Sequence, residues 1–239
     1  MDKQALREQV WDALEETGEA RFPFPPHGRI PNFNGAREAA ERLAETEAWQ
    51  AAEAVKSNPD APQLPVRRAA LHAGKTVYMA VPRLRDEKCF LELDPARLER
   101  EGVDLDKAAT IGGSSEFGVP VLPSEMPHID LILAGSVAVS EAGGRIGKGE
   151  GYSDMEWAVL AAFENVSEAT TVATTVHELQ LREGIETDAH DVPLDLVVTP
   201  ERVVRTGANR AERPRGIDWD ALSAERIAEI PILERLRQS

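Results

Sequence analysis

The stretch "IDLILAGSVAVSEAGGRIGKGEGYSD" (129–154) carries the strongest structural signals in this chain. Its first half belongs to an apolar run, 128–140, with the length and composition of a buried strand and its continuation. Its second half is a loop in which three glycines alternate with a cation and an anion (Gly147, Lys148, Gly149, Glu150 and Gly151). Ser153 followed by Glu156 is a capping box, which predicts a helix from Ser153 to about Val166. The order strand, glycine loop, helix is therefore predicted.

A glycine-rich turn that leads from a strand to a helix N-terminus favours the binding of an anion. Backbone N–H groups point outward there, glycine permits close approach, and the helix dipole attracts negative charge. Arg145 and Lys148 would add charge-assisted contacts. Two nucleotide motifs do not fit: Gly149 stands where a Walker loop needs Ser or Thr, and Asp154 where the dinucleotide fingerprint needs its third glycine. The pattern alone predicts a phosphate-type anion site, with a solvated hairpin or a tight packing turn as the alternative.

Two aspartates are candidate magnesium ligands, because Mg²⁺ is held by one or two carboxylates together with substrate phosphates. Asp154 lies in the first turn of the predicted helix, where a carboxylate is also stabilised without a ligand. Asp191 precedes a predicted strand, in a position where aspartate also forms turns. Each is thus predicted either as a metal ligand or as a local structural residue.

The rest of the chain alternates between helical and strand patterns. Helices are predicted over residues 2–17, 35–55 and 66–74, and on either side of Pro231. Strands are predicted within residues 75–82, 88–93, 169–177 and 192–206. Near-continuous apolar strands that alternate with helices predict an α/β fold with a largely parallel sheet covered on both faces. We predict a single domain over residues 1–239.

The charge balance is strongly acidic. Lys and Arg total 27 against 42 Asp and Glu, a net charge of −15, and only six of the basic residues are lysine. An acidic, lysine-poor surface is typical of an organism with a salt-rich cytosol, and a merely acidic protein is the alternative interpretation. Nucleic-acid binding is not expected, because such proteins concentrate positive charge.

The remaining composition indicates a cytoplasmic protein. No apolar run approaches the length of a membrane span, and the charged first residues show no secretory signal. Cys89 is the only cysteine, which excludes an internal disulfide framework and a multi-cysteine metal site. No oligomeric state follows from these features.

Four segments, taken together and in order, resemble the 5-formyltetrahydrofolate cyclo-ligase family, the methenyltetrahydrofolate synthetases. They are "KQALR" (3–7), "GKTVYMAVPR" (74–83), the 129–154 stretch and "IETDAHDVPLDLVVTPERVV" (185–204). The third is the most specific, because it is similar to the family's Arg-Leu-Gly-x-Gly-Gly-Gly-Tyr-Tyr-Asp loop. It looks closest to a divergent branch whose loop reads Arg-Ile-Gly-Lys-Gly-Glu-Gly. The departures are Glu150 at the middle glycine, Ser153 at the second tyrosine and Met155 at the following arginine.

The resemblance implies a fold and a reaction. The implied fold is a three-layer α/β/α sandwich related to ribose-phosphate isomerases and CoA transferases. The implied reaction uses ATP and Mg²⁺ to close 5-formyltetrahydrofolate to 5,10-methenyltetrahydrofolate. The formyl oxygen attacks the γ-phosphate, N10 then attacks the activated carbon, and phosphate leaves. An amide-type oxygen leaves poorly until it is phosphorylated, so the protein's task would be positioning and charge neutralisation.

The resemblance also implies roles for individual residues. Lys148 and Arg145 would be catalytic. The ATP-binding residues would be Lys3, Arg7, Arg145, Gly147, Lys148, Gly149, Gly151 and Tyr152. The reduced folate would contact Glu150, Tyr152, Asp60 and Gln63, and magnesium would bind Asp154 and Asp191. Because the departures lie at the substrate end of the loop, two alternatives stay open: a ligase or kinase for another one-carbon or heterocyclic substrate, and a non-catalytic nucleotide-binding regulator.

Overall fold

The computed structural model describes residues 2–238, and its strands form one large sheet and two small ladders. The strands are β1 (Ala20–Arg21), β2 (Asn32–Phe33), β3 (Ala54–Ser57), β4 (Thr76–Ala80), β5 (Phe90–Leu93), β6 (Val119–Val121), β7 (Leu131–Leu133), β8 (Ala138–Val139), β9 (Arg145–Ile146), β10 (Thr171–Thr175), β11 (Leu196–Val198) and β12 (Val203–Arg205). The strands β1 and β2 pair with each other, as do β8 and β9, and the other eight form the large sheet.

The helices lie mostly between these strands. They are α1 (Lys3–Glu16), α2 (Ala36–Ala44), α3 (Glu47–Ala51), α4 (Leu64–His72), α5 (Pro95–Arg100), α6 (Leu105–Ala108), α7 (Ile111–Phe117), α8 (Tyr152–Ala162), α9 (Ala224–Glu229) and α10 (Pro231–Gln238). The predicted break at Pro231 is confirmed, because α9 ends at Glu229 and α10 begins at the proline.

The large sheet has the strand order β12-β11-β10-β7-β3-β4-β5-β6. Its five inner strands, from β11 to β4, run parallel to their neighbours. The remaining strands, β12 at one end and β5 and β6 at the other, pair antiparallel. The prediction of a largely parallel sheet is therefore confirmed. In such sheets the carboxyl ends of the parallel strands meet at one edge, where ligands bind.

Helices cover both faces of the sheet, as the alternation of side chains along β7 shows. Ile132 packs in one buried cluster with Trp157 of α8. Leu131 and Leu133 pack in a second cluster with Trp49 of α3. The first cluster also takes residues from α9 and α10, and the second takes residues from α2, α4, α5 and α6. The fold is a three-layer α/β/α sandwich, as expected.

The N-terminal helix α1 packs outside the sheet, against the β8–β9 hairpin. Leu6, Val10 and Leu14 are buried in a third cluster that includes Ala138 and Ile146 of the hairpin. The helix begins where it was predicted, because the carboxylate of Asp2 accepts a hydrogen bond from the backbone N–H of Ala5. This packing holds the polar side of α1 next to the glycine loop.

One predicted helix, 35–55, is wrong in its second half. The helix α2 ends at Ala44, the hydroxyl of Thr46 caps the short helix α3, and Ala54–Ser57 is the strand β3. The alanine-rich sequence favours helix locally. However, all four residues of β3 are buried between β7 and β4, so tertiary packing overrides that local preference. The strand that the prediction missed lies in the middle of the sheet.

Cys89 lies in the interior, immediately before β5. Its side chain is fully buried, and this burial raises the pKa of the thiol to about 12. Cys89 therefore packs as a small buried hydrophobe. Within residues 2–238 we find no helix with the length and apolar character that a membrane crossing requires.

Candidate active site

A cavity of about 570 Å³ opens at the carboxyl ends of β3, β4 and β7. The segment after β3, including Asn58 and Asp60, forms one side, and Gly135 after β7 forms the floor beside it. The segment after β4, with Val81, and the helix α7, with Ile111, form a more apolar wall. The glycine loop and the first turn of α8 close the remaining side. All four segments of the resemblance contribute residues to this cavity.

The glycine loop runs from the end of β9 to the start of α8. The N-cap of α8 is Gly151, whose φ of 70° lies in the left-handed region that glycine adopts without steric cost. The helix begins at Tyr152, so the predicted capping box of Ser153 and Glu156 is wrong. Both side chains line the cavity instead, and the hydroxyl of Ser153 lies 3.5 Å from the Asn58 side-chain oxygen. The missing side-chain cap leaves the N-terminus of α8 open towards the cavity.

The helix α1 contributes two cations to this site. Arg7 Nε donates a hydrogen bond of 2.7 Å to the carbonyl oxygen of Gly147. A Cβ at Gly149 would lie 3.4 Å from the Arg7 guanidinium, so a glycine there lets the loop approach the arginine closely. Lys3 Nζ lies 2.8 Å from Asp188 and 3.1 Å from Asp191. The hydrogen bond from Lys3 lowers the pKa of Asp188, and the bond to Asp188 raises the pKa of Lys3.

Arg145 lies deep in the site. Its Nη2 contacts both carboxylate oxygens of Asp154, at 2.8 and 2.7 Å, and its Nη1 donates to the carbonyl oxygen of Gly135. Its side chain is only 7% exposed, so this pair is largely shielded from water. Asp154 therefore orients Arg145 at the cavity wall. It stays a candidate metal ligand as well, because its Oδ2 keeps a second lone pair, whereas Oδ1 also accepts a hydrogen bond of 3.3 Å from the backbone N–H of Val192.

Lys148 and Glu150 form an ion pair of 2.9 Å across Gly149 at the rim of the cavity. Both side chains are exposed to water, at 41% and 44%. A carboxylate beside a bound triphosphate would repel it, unless a cation neutralises that carboxylate. Lys148 provides this neutralisation, so the departure from the family's glycine at position 150 is compatible with an anion site.

Asp60 lines the cavity and is held there by Arg67. The guanidinium of Arg67 donates to the carbonyl oxygens of Asn58, at 2.7 Å, and Asp60, at 3.1 Å. Burial lowers the pKa of Arg67 to about 10. Burial also raises the pKa of the Asp60 carboxyl, an effect that the positive charges of Lys148 and Arg67 only partly oppose. A carboxylate kept in an unfavourable environment beside a cavity is typical of a functional residue.

Gln63 lies behind the cavity wall. Its side chain is fully buried and is absent from the residues that line the cavity. Its amide has no hydrogen-bond partner among residues 2–238, and its oxygen would lie 3.3 Å from a Cβ at Gly135. Direct contact between Gln63 and a substrate therefore receives no support from this geometry, whereas contact with Asp60 does.

We expect Asp60→Asn to stabilise the unliganded protein at neutral pH. The folded-state pKa of Asp60 is raised, so this group favours folding below its unfolded pKa, and that contribution is lost as pH rises through the folded pKa. The Tm of Asp60→Asn should exceed that of the wild type at pH 7 and converge with it in acid. Asp86→Asn, at an exposed position, is the control. A Tm of Asp60→Asn at or below that of the wild type at pH 7 would contradict the assignment.

Asp191 belongs to a cluster of three side chains that could hold a metal ion. Ligand atoms of Asp188, His190 and Asp191 all lie within 4.8 Å of one another. Asp191 and His190 also line the cavity. Carboxylate oxygens suit Mg²⁺, which usually takes one or two of them in addition to substrate phosphates. The residues present therefore fit magnesium, provided that the ammonium group of Lys3 moves aside or shares the carboxylates.

Sequence reasoning missed three residues of the site. Lys56, in β3, and Asn58, directly after it, were missed because β3 was not predicted: the predicted helix 35–55 covered its first two residues, although polar residues at the end of a buried strand are a usual signal for a site. Lys56 forms a buried ion pair with Glu156, which lines the cavity. Arg226, from α9, donates to the hydroxyl of Tyr152 at 2.8 Å. No local pattern marks a contact between residues 74 positions apart.

The fold and the site define an α/β protein with a glycine-rich loop and a cation-lined cavity at the carboxyl edge of a parallel sheet. The sequence model of the 5-formyltetrahydrofolate cyclo-ligase family matches residues 1–200. The chain belongs to that family.

Known relatives agree with this assignment. A methenyltetrahydrofolate synthase domain-containing protein from Bos taurus is 42% identical over 99% of this chain, and its counterpart from Mus musculus is 42% identical over 100%. The chain spans 62% and 64% of the length of these two relatives. A solved structure of the 5,10-methenyltetrahydrofolate synthetase from Aquifex aeolicus superposes with a TM-score of 0.54 at 18% identity. That likeness, over 88% of this chain and 95% of the other, supports the fold.

Proposed function

We propose that this protein uses ATP and Mg²⁺ to convert 5-formyltetrahydrofolate to 5,10-methenyltetrahydrofolate. The observation that carries the proposal is the convergence of four cations, Lys3, Arg7, Arg145 and Lys148, on one cavity beside an uncapped helix N-terminus. Such a site suits a polyphosphate. Family membership supplies the reaction.

In this proposal the glycine loop and its cations hold the triphosphate. Lys148 and Arg145 contact the oxygens of the transferred phosphoryl group, while Arg7 contacts the loop carbonyl and the remaining phosphates. The formyl oxygen attacks the γ-phosphorus and ADP leaves. The N10 lone pair then attacks the formyl carbon, N10 loses its proton and phosphate departs with the former formyl oxygen. Asp191, with Asp154 as a second candidate ligand, would hold Mg²⁺, and the ion would provide further charge neutralisation.

The reduced folate would occupy the part of the cavity away from the loop. Met79, Val81 and Ile111 offer apolar surface there for a flat ring system. The Asp60 carboxylate offers acceptor oxygens for the ring's N–H groups. Glu150 and Tyr152, at the junction between this region and the loop, are the proposed contacts near the reacting groups.

A ligase or kinase for another one-carbon or heterocyclic substrate is the second candidate. It is favoured by the side of the cavity that α8 forms, where Ser153 and Glu156 place a hydroxyl and a carboxylate. A nucleotide-binding regulator without turnover would keep the same cationic loop. These candidates differ in what they do with ATP, which makes them separable by experiment.

The test is an assay of the pure protein with ATP, Mg²⁺ and 5-formyltetrahydrofolate, followed by the absorbance of the methenyl product. The acidic, lysine-poor composition fits a salt-rich cytosol, so we propose measurements from low to molar KCl. Product formation that requires both ATP and Mg²⁺ supports the cyclo-ligase. ATP consumption with another substrate but not with the folate would select the second candidate, and nucleotide binding without turnover would select the regulator.

A further inference from the structure

The family match ends at residue 200, but the fold does not. Ile230, Ile232 and Leu233 of the last 39 residues are fully buried in the same cluster as Trp157 of α8. Arg213 in this segment is also buried, and it contacts Asp195, next to β11, at 2.6 Å. Residues 201–238 therefore pack as part of the sandwich, and they bring α9 next to the glycine loop.

Arg226 of α9 makes three contacts with that loop. Its Nη1 donates to the hydroxyl of Tyr152 at 2.8 Å, and its Nη2 donates to the carbonyl oxygen of Glu150 at 3.0 Å. Its guanidinium lies 4.0 Å from the centre of the Tyr152 ring, a cation–π distance. The two hydrogen-bonded residues lie on either side of Gly151, the N-cap of α8. One side chain thus fixes both flanks of the turn at which the loop becomes a helix.

The loop needs such a fixed point, because its glycines give it many accessible conformations. Arg7 holds the first part of the loop through the carbonyl oxygen of Gly147. Lys148 and Glu150 pair with each other at the exposed rim, where an ion pair restrains the backbone weakly. Arg226 is not among the residues that line the cavity. Its two hydrogen bonds instead hold the loop from outside the cavity.

We propose that Arg226 is a positioning residue, through which the segment beyond the family match holds the glycine loop in its phosphate-binding conformation. The identity of the ligand, a nucleoside triphosphate, rests on the proposed function. The contact between Arg226 and the loop does not depend on it. Loss of Arg226 would leave the cations of the loop in place, but the loop would then become ordered only when the nucleotide binds. The cost would therefore appear in the affinity for the nucleotide.

The test compares Arg226→Ala and Arg226→Lys with Arg237→Ala, a matched loss of an exposed arginine on α10. The first readout is hydrogen–deuterium exchange of residues 147–152 in the full chain without ligand. We expect faster exchange in Arg226→Ala and in Arg226→Lys, because a lysine cannot donate to both acceptors in the same fork geometry. Arg237→Ala should exchange like the wild type. Unchanged exchange in both Arg226 variants would overturn the proposal.

The second readout is steady-state kinetics with ATP. The KM for ATP should rise about tenfold in Arg226→Ala, as expected for the loss of two charge-assisted hydrogen bonds that order a loop. A purely structural role would instead lower the active fraction and the apparent kcat, with the KM unchanged. That result would also overturn the proposal. If the wild type did not turn over the folate, the proposed function would fail while the exchange measurement still decided the role of Arg226.

Discussion

Lys148→Ala is expected to lower kcat/KM for ATP-dependent cyclisation by about 10²–10³-fold, the usual cost of removing one donor that faces developing charge. Lys148 lies between Gly147 and Gly149 at the mouth of the cavity, and its side chain is 41% exposed, so its ammonium group can turn towards a ligand. Its removal has a second effect, because it leaves the Glu150 carboxylate without its cation. That carboxylate would then repel the triphosphate.

The matched control is Lys107→Ala. Lys107 Nζ pairs with Glu116 at 2.9 Å on the surface and lies over the ring of Phe117, away from the residues that line the cavity. An exposed ion pair of this kind contributes at most about 1 kcal/mol to stability and nothing to the reaction. The two variants are compared by their kcat/KM, obtained from initial rates at varied ATP concentration and one salt concentration. Equal losses of kcat/KM in the two variants would contradict the assignment of the glycine loop to the nucleotide site.

The position of this loop could be predicted from sequence because its signals are local. Glycines between an apolar run and a helix start mark such a turn through neighbouring residues alone. The exact start of the helix could not be predicted in the same way. Ser153 and Glu156 fit a capping box, but Gly151 adopts a left-handed conformation, and the two side chains line the cavity instead. A cap pattern predicts a helix start only when its side chains have no other partners.

The opposite side of the cavity was not predictable, because its central strand has a helix-like sequence. Ala54–Ser57 follows an alanine-rich segment and contains a lysine, which is uncommon in a buried strand. Only the positions of β7 and β4 on either side make this segment a strand. Arg226 escaped prediction for a related reason, since its two acceptors lie 74 and 76 residues away. Contacts of this length depend on the completed fold.

The buried lysine on that strand has a specific partner. Lys56 forms an ion pair with Glu156 of α8, and the two side chains are only 1% and 6% exposed. A second contact joins Lys56 Nζ to the side-chain oxygen of Asn58 at 3.4 Å. Glu156 also lines the cavity, so the pair joins the centre of the sheet to the candidate site. A buried pair of this kind stabilises a fold only weakly overall, but removal of one member leaves an uncompensated charge in the interior.

Lys56→Met should therefore lower the free energy of unfolding by about 3–5 kcal/mol, the usual cost of leaving one buried charge unpaired. The double variant Lys56→Met/Glu156→Leu should recover most of that loss, because it removes both charges while keeping similar volumes. Denaturant unfolding of the single and double variants measures both values. The control, Arg37→Met, breaks a surface pair with Glu41 whose members are 83% and 60% exposed, and it should cost less than about 1 kcal/mol. Two results would contradict this explanation: a loss of unfolding free energy in Lys56→Met no larger than in Arg37→Met, or a double variant as unstable as the single one. Either result would mean that the cost of an unpaired buried charge does not explain why Lys56 and Glu156 occur together beneath this cavity.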